Sequence, residues 1–193
     1  MRSIHMHFKS IGGSRVKAAI KQYILGLGVD DVGFARASDY QSAKSYPVDH
    51  FLSGAKTIIV MVFQELGVES PSATIAMNSR LDMNCFQRSC SYQISRYLKR
   101  QYQAMTVDMP YSSPMEQHKD RLALADFSQR HAAVAAGMGS FGRHNLVIHP
   151  RFGTRIGLVS LITDLEIAPD APLEQDLCIH CGLCVKNCPG AAL

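Results

Sequence analysis

The stretch Thr57-Ile-Ile-Val-Met-Val-Phe63 is apolar at six consecutive positions and rich in β-branched residues. An unbroken run of this kind, without polar alternation, is the pattern of a strand covered on both faces. It predicts a sheet with packing layers on each side, which the flanking sequence must supply. Upstream, Val16, Ile20, Ile24 and Leu27 recur with a helical period. Ser14 is placed to cap that helix and Gly26 to Gly28 to end it. Asp31-Val-Gly-Phe-Ala-Arg-Ala37 reads as a short strand. Downstream, residues 80–103 have a helical stripe of Phe86, Cys90, Ile94, Tyr97 and Leu98, with Arg88, Arg96, Lys99 and Arg100 largely off it on a solvated face.

The segment from Pro110 to Asp120 is expected to be a loop. Asp126 or Ser128 then caps a helix of small residues, Gln129 to Ala136, with Asp126 the simpler choice, and a glycine-rich turn ends it. Asn145–Ile148 and Ile156–Ile162 are two further strands, joined by the turn Pro150-Arg-Phe-Gly153. Ala168 to Leu173, with two prolines, reads as a linker into the cysteine-rich end.

Composition narrows the class. At 193 residues, 47% hydrophobic, the chain can bury about 70% of its unfolded surface in a single core, so size demands no staple. Twenty Lys and Arg against sixteen Asp and Glu give a net charge of +4, which permits a nucleic-acid partner without arguing for one. No apolar run approaches the ~20 residues of a membrane helix, and Met1 to Gly13 is interrupted by Arg2, His5, His7 and Lys9. A soluble cytoplasmic protein with no membrane partner is expected; the sequence leaves its oligomeric state open.

Cys178, Cys181, Cys184 and Cys188 crowd into eleven residues, whereas half-cystines of secreted frameworks are dispersed. Cys178-Ile-His-Cys181-Gly-Leu-Cys184-Val-Lys-Asn-Cys188-Pro189 is C-x2-C-x2-C-x3-C-P, the bacterial ferredoxin run, and points to a 4Fe-4S cluster. Gly182 is expected to admit a close backbone approach. Structural zinc is the competing reading, but zinc sites pair two separated knuckles. In two-cluster ferredoxins the fourth cysteine ligates the other cluster. Only five residues follow Cys188. The module is truncated, or one cluster closes on Cys188, or a distant cysteine lends its thiolate. Cys90, on the apolar stripe, reads as a core residue, which leaves Cys85 as the distant donor.

Gly137-Met-Gly139-Ser-Phe-Gly142 matches G-x-G-x-x-G, but a helix precedes it and a strand follows, the reverse of a dinucleotide fingerprint. Positive-φ glycines capping a helix are one explanation, and a backbone surface open to a large planar cofactor is another. His131, His144 and His149 lie around this turn and are ordinarily polar surface or core groups.

The run His131-Ala-Ala-Val-Ala-Ala-Gly-Met-Gly-Ser-Phe-Gly-Arg-His-Asn-Leu-Val-Ile-His-Pro-Arg-Phe-Gly153, followed by Leu161-Ile-Thr-Asp164-Leu and the cysteines, resembles the cobalamin-dependent epoxyqueuosine reductase and reductive dehalogenase superfamily over about 60 residues. Val32-Gly-Phe-Ala and Gly54-Ala-Lys-Thr-Ile-Ile-Val resemble its opening more weakly. The resemblance implies an α+β fold: a nitroreductase-like cobalamin-binding domain at 1–167 and a partial ferredoxin-type segment at 168–193. It implies that Gly137, Gly139, Gly142 and Asn145 lie near the corrinoid, that Cys178, Cys181, Cys184 and Cys188 hold the cluster, and that electrons come from an external donor. The substrate class is a small molecule or a modified tRNA that loses an oxygen or a halogen. A non-catalytic electron-transfer or corrinoid-activating protein is the alternative, and a flavin the alternative cofactor. The D-x-G-P segment that carries the catalytic Asp of epoxyqueuosine reductases is absent; Asp126 lies nearby but out of register, so no catalytic residue is assigned.

Overall fold

The structure is a computed structural model that describes residues 13–66, 72–110, 116–118 and 121–193. The opening read as Met1 to Gly13 falls outside these residues up to position 12. A four-stranded antiparallel sheet has the order β1-β2-β8-β3, formed by Asp31–Arg36, Thr57–Gln64, Ile156–Thr163 and Thr106–Met109 respectively. The two inner strands are the expected apolar ones, and β2 is buried from Thr57 to Phe63.

Alternation along β2 feeds two cores. Ile59, Met61 and Phe63 pack with Val159 and Leu161 of β8 against α1 (Gly13–Gly26) and α3 (Ala73–Tyr102), through Ile20, Ile24, Cys90, Ile94 and Leu98. Ile58 and Val60 face Ala132, Ala133 and Ala136 around α4 (Gln129–Ala135), with Val48 of α2 (Val48–Phe51). Each buried Val, Ile, Leu, Met or Phe side chain among these contributes about 1.5–3 kcal/mol by leaving water, and each alanine methyl rather less, so burial on both faces holds the sheet between the two layers. The alanine-rich face lets α4 come close: a Cβ on Gly33 would meet the Ala136 carbonyl.

Several elements depart from expectation. Helix α3 begins at Ala73, capped by the Ser72 hydroxyl on the Ile75 N–H, seven residues before the start expected from periodicity. Its first turns expose Ile75, Met77 and Leu81, so no core-facing period marks them. Of the expected stripe, Cys90, Ile94 and Leu98 are buried and Tyr97 packs against the core; Gln87 and Ser91 also lie inside, whereas Phe86 is exposed and meets Phe63 edge-on. Ser14 lies within α1 rather than ahead of it. Ser128, not Asp126, caps α4, because its hydroxyl receives the His131 N–H.

The segment Pro110–Asp120, expected to be a loop, contains Glu116–His118 (β4), which pairs with Arg121–Leu124 (β5). β3 carries no strand signal in the sequence, being short and broken by a charge at Asp108. Asn145 takes φ 62°, which delays the expected strand to Val147–Ile148 (β7), and β7 pairs with Ser140–Phe141 (β6). Among the described residues no helix is long and apolar enough to cross a membrane.

Candidate metal centre and glycine turn

The cysteine run forms an irregular loop closed by one helical turn, α5 (Leu183–Lys186). His180 and Gly182 adopt φ of 51° and 73°, reversing the chain between successive cysteines. Gly182 is needed for this conformation and not for space, since a Cβ there would meet nothing within 4 Å. All four thiols are free; Cys181 is exposed and the other three half-buried.

Backbone N–H groups gather round the last of them. The Ala192 N–H lies 3.3 Å from Cys188 Sγ. With the N–H groups of Gly190, Leu193 and Ala191, it holds this thiol below its ordinary range, favouring the thiolate that binds metal. Asp176 organises the opposite end, accepting the Cys178 N–H at 2.8 Å and contacting His180 Nε2 at 2.8 Å. Those bonds, the Cys178 N–H first, hold its carboxyl below the usual carboxylate range. Among the described residues no three His, Cys, Asp or Glu converge as a closed metal cage. The donor set itself, four thiols with backbone N–H groups close to the sulfur of Cys188, suits an iron–sulfur cluster. Cys90 is a core residue, its thiol pushed up by burial, and Cys85 is exposed on α3.

The stretch expected to be a linker is held against the fold. Ile167 is buried, and its N–H donates to Thr57 Oγ1 at 3.0 Å. Asp170 binds the β1 edge and Lys17. The Leu177 N–H, one residue before the cysteines, donates to Ser140 Oγ at 2.9 Å. The start of the run is thereby fixed beside the glycine turn. Sequence reading missed Lys17, Ser140, Asp170 and Asp176; only Asp176, two residues ahead of a ligand, carries a local signal.

Gly137 and Gly139 have φ of 72° and 157° and end α4, as expected for a glycine cap. Their side-chain faces are filled from within the protein. A Cβ on Gly137 would strike the Ala171 carbonyl, one on Gly139 the Ile148 carbonyl, and one on Gly142 the His144 ring. The glycines thus leave no vacant cradle on those faces for a planar cofactor. Asn145 sits in the β6–β7 turn, its carbonyl accepting from Arg130.

The three histidines have separate environments. His149 is 2% exposed, stacked on Phe152, with Nδ1 accepting the Arg151 N–H and Nε2 at 3.3 Å from Asp31. Burial pushes its pKa down, and the Asp31 carboxylate only partly opposes this. His131 Nδ1 lies 2.7 Å from Ser128 Oγ, and burial likewise lowers its pKa. His144 Nδ1 accepts the Leu146 N–H.

Comparison with known proteins matches residues 171–193 to the 4Fe-4S binding domain. An epoxyqueuosine reductase of Bacillus anthracis is 24% identical over 201 residues, covering 93% of this chain and 52% of the relative. A tetrachloroethene reductive dehalogenase of Desulfitobacterium hafniense is 41% identical over 64 residues, 32% of this chain and 12% of the relative. The crystal structure of an epoxyqueuosine reductase with an epoxyqueuosine-modified tRNA stem loop superposes with a TM-score of 0.65 at 20% identity, covering 93% of this chain and 53% of that one. The chain therefore spans about half the length of the epoxyqueuosine reductases it matches. By sequence and by fold, the relatives of this chain are the epoxyqueuosine reductases and the reductive dehalogenases, with a 4Fe-4S binding segment at its cysteine run.

Proposed function

We propose that this chain is the electron-handling part of an iron–sulfur reductase. Cys178, Cys181, Cys184 and Cys188 would hold one 4Fe-4S cluster, and residues 168–193 would form the ferredoxin-type segment beside a nitroreductase-like domain of residues 1–167. The observation that carries the reading is the cysteine run itself, with N–H donors around Cys188 and the residue that precedes the run, Leu177, anchored at Ser140 of the glycine turn. A bound cluster supplies single electrons at low potential, with hydrogen bonds to sulfur and burial setting the value. The chain's own residues hold the thiolates, orient the loop through Asp176 and fix its distance from α4.

The acceptor is proposed as a corrinoid near Gly137, Gly139, Gly142 and Asn145, on the strength of the glycine-turn motif that resembles the superfamily's. Because the side-chain faces of those glycines are filled by Ala171, Ile148 and His144, such a group meets the turn only from elsewhere, and no chemical step is derived through it. The net reaction class is reductive loss of oxygen or halogen from a small molecule or a modified tRNA, in the cytoplasm, with electrons from an external donor. The flavin alternative finds no support among the relatives.

Anaerobic reconstitution tests the first half: about four irons and four sulfides per chain are expected, with the broad brown absorption of a cluster. Bound zinc, or colourless protein, would remove the electron route. Titration with hydroxocobalamin tests the second half, where a base-off spectrum is expected. An unchanged spectrum at tens of micromolar ligand would remove the corrinoid.

A further inference from the structure

We infer that residues 167–177 are a latch that fixes the cysteine run on the globular domain, with Asp170, Lys17 and Gly137 as its positioning residues. The consequence for electron delivery rests on the reading above, whereas the latch does not. Asp170 engages Phe34 twice: its N–H donates to the Phe34 carbonyl at 2.7 Å, and its Oδ2 accepts the Phe34 N–H at 2.9 Å. Together the two bonds mimic the exchange a neighbouring strand would make, with the Asp170 carboxylate in place of a backbone carbonyl, on β1, an edge of the sheet.

Lys17 completes the clasp. Its Nζ lies 2.6 Å from Asp170 Oδ1 and 3.2 Å from the Pro169 carbonyl, over the Phe34 ring. The two side chains are only 20% and 28% exposed, so water screens this pair less than an open surface pair. The next carbonyl, that of Ala171, stands where a side chain on Gly137 would be. Gly137 is thus required twice, for φ 72° and for the passage of the latch.

The effect on the cluster is geometric. Even a fully flexible, Gly/Ser-like tether of the ten residues from Ile167 to Leu177 would have a root-mean-square span of about 17 Å, and the stiffer free segment with Pro169 and Pro172 would reach further. Anchors at Ile167, Asp170, Ala171 and Leu177 replace that wandering with one position for the first cysteine.

The experiment uses the whole chain, reconstituted anaerobically, in wild-type form and as D170A, D170N, K17M and G137A. Hydrogen exchange is read over residues 32–36 and 168–177. A nitroxide on the exposed Cys85 gives the distance distribution to the reduced cluster. D170A is expected to speed exchange in both segments on the order of tenfold or more, because the Phe34 amide loses its acceptor, and to broaden the distance distribution. D170N keeps an acceptor and is expected to lose less; K17M, which leaves the Phe34 bonds in place, also falls between. G137A is expected to loosen 168–177 while iron stays at about four per chain. Exchange and distances unchanged in both D170A and G137A would overturn the latch. Should D170A fail to fold, K17M decides by the same readouts. Failure of the wild-type chain to take up iron would count against the reductase reading alone, since the exchange comparison can be made on the metal-free protein.

Discussion

Replacing Gly33 by alanine measures how closely α4 is held to the sheet. Gly33 lies in β1 outside the left-handed region, so its substitution introduces no backbone strain of that kind. The new Cβ would stand 2.5 Å from the Ala136 carbonyl oxygen and 2.6 Å from Met138 Cε. The methionine can swing aside. The carbonyl cannot, because Ala132, Ala133 and Ala136 are fully buried at that end of the helix. Overpacking of this kind costs about 1–3 kcal/mol, offset by about 0.5–1 kcal/mol from removing a flexible glycine. Because the clash is with a backbone oxygen, the upper half of that cost applies and the expected net loss is about 1–2.5 kcal/mol, or roughly 2–10 °C in Tm for a domain of this size. Gly26 is the control: it lies in α1 with open space around it, and alanine there should be neutral or stabilising by up to about 1 kcal/mol. Urea unfolding followed by circular dichroism reads both, with an unchanged slope showing that stability alone has moved. A Gly33→Ala protein as stable as wild type would refute the close approach of α4.

Alanine at Cys178, Cys181, Cys184 or Cys188 should each reduce iron uptake in anaerobic reconstitution, whereas Cys85→Ser should retain it; equal loss in Cys85→Ser would make that residue a ligand. The buried His149 has a native pKa below its unfolded value of about 6.5. The unfolded chain therefore binds more protons below that pH. The stabilisation is complete above about 6.5 and is lost as pH falls from there towards the native pKa. His149→Asn should flatten the slope of urea midpoint against pH, with a residue left by His131, whose shift has the same sign; an unaltered slope would contradict the assignment. Ser128→Ala removes the cap of α4 and should cost about 1 kcal/mol, with a changed His131 ring signal in NMR, because Ser128 Oγ also contacts Nδ1.

The inner strands and the metal-binding run were readable because each carries its signal locally. β2 and β8 announce themselves by apolar runs, and the cysteines by spacing. What stayed hidden depends on partners far along the chain. β3 is four residues long and exists through its register with β8, Met109 opposite Ser160. Cys90, Ile94 and Leu98 mark the buried face of α3 by their period, but Gln87 and Ser91, which complete that face, carry no apolar cue, and the apolar Phe86 is exposed. Ala168 to Leu173 has the composition of a linker, and it is Lys17 and Phe34, more than 130 positions earlier, together with Gly137, that make it part of the fold. The glycines were correctly read as a helix end, but what fills their side-chain faces comes from Ile148, His144 and Ala171, which no motif indicates.

The central place of β2 has a consequence for synthesis. Its first partner, β1, is already made when it emerges, but its other flank pairs Thr57 with Thr163, a separation of 163 − 57 = 106 residues. At ribosomal rates of about 5–20 residues per second, that apolar edge waits roughly 5–20 s for its mate. The nascent chain must shelter its most aggregation-prone ribbon through that interval, which makes slowed translation between the two strands, or loss of a holding chaperone, the point at which yield of the folded protein would first suffer.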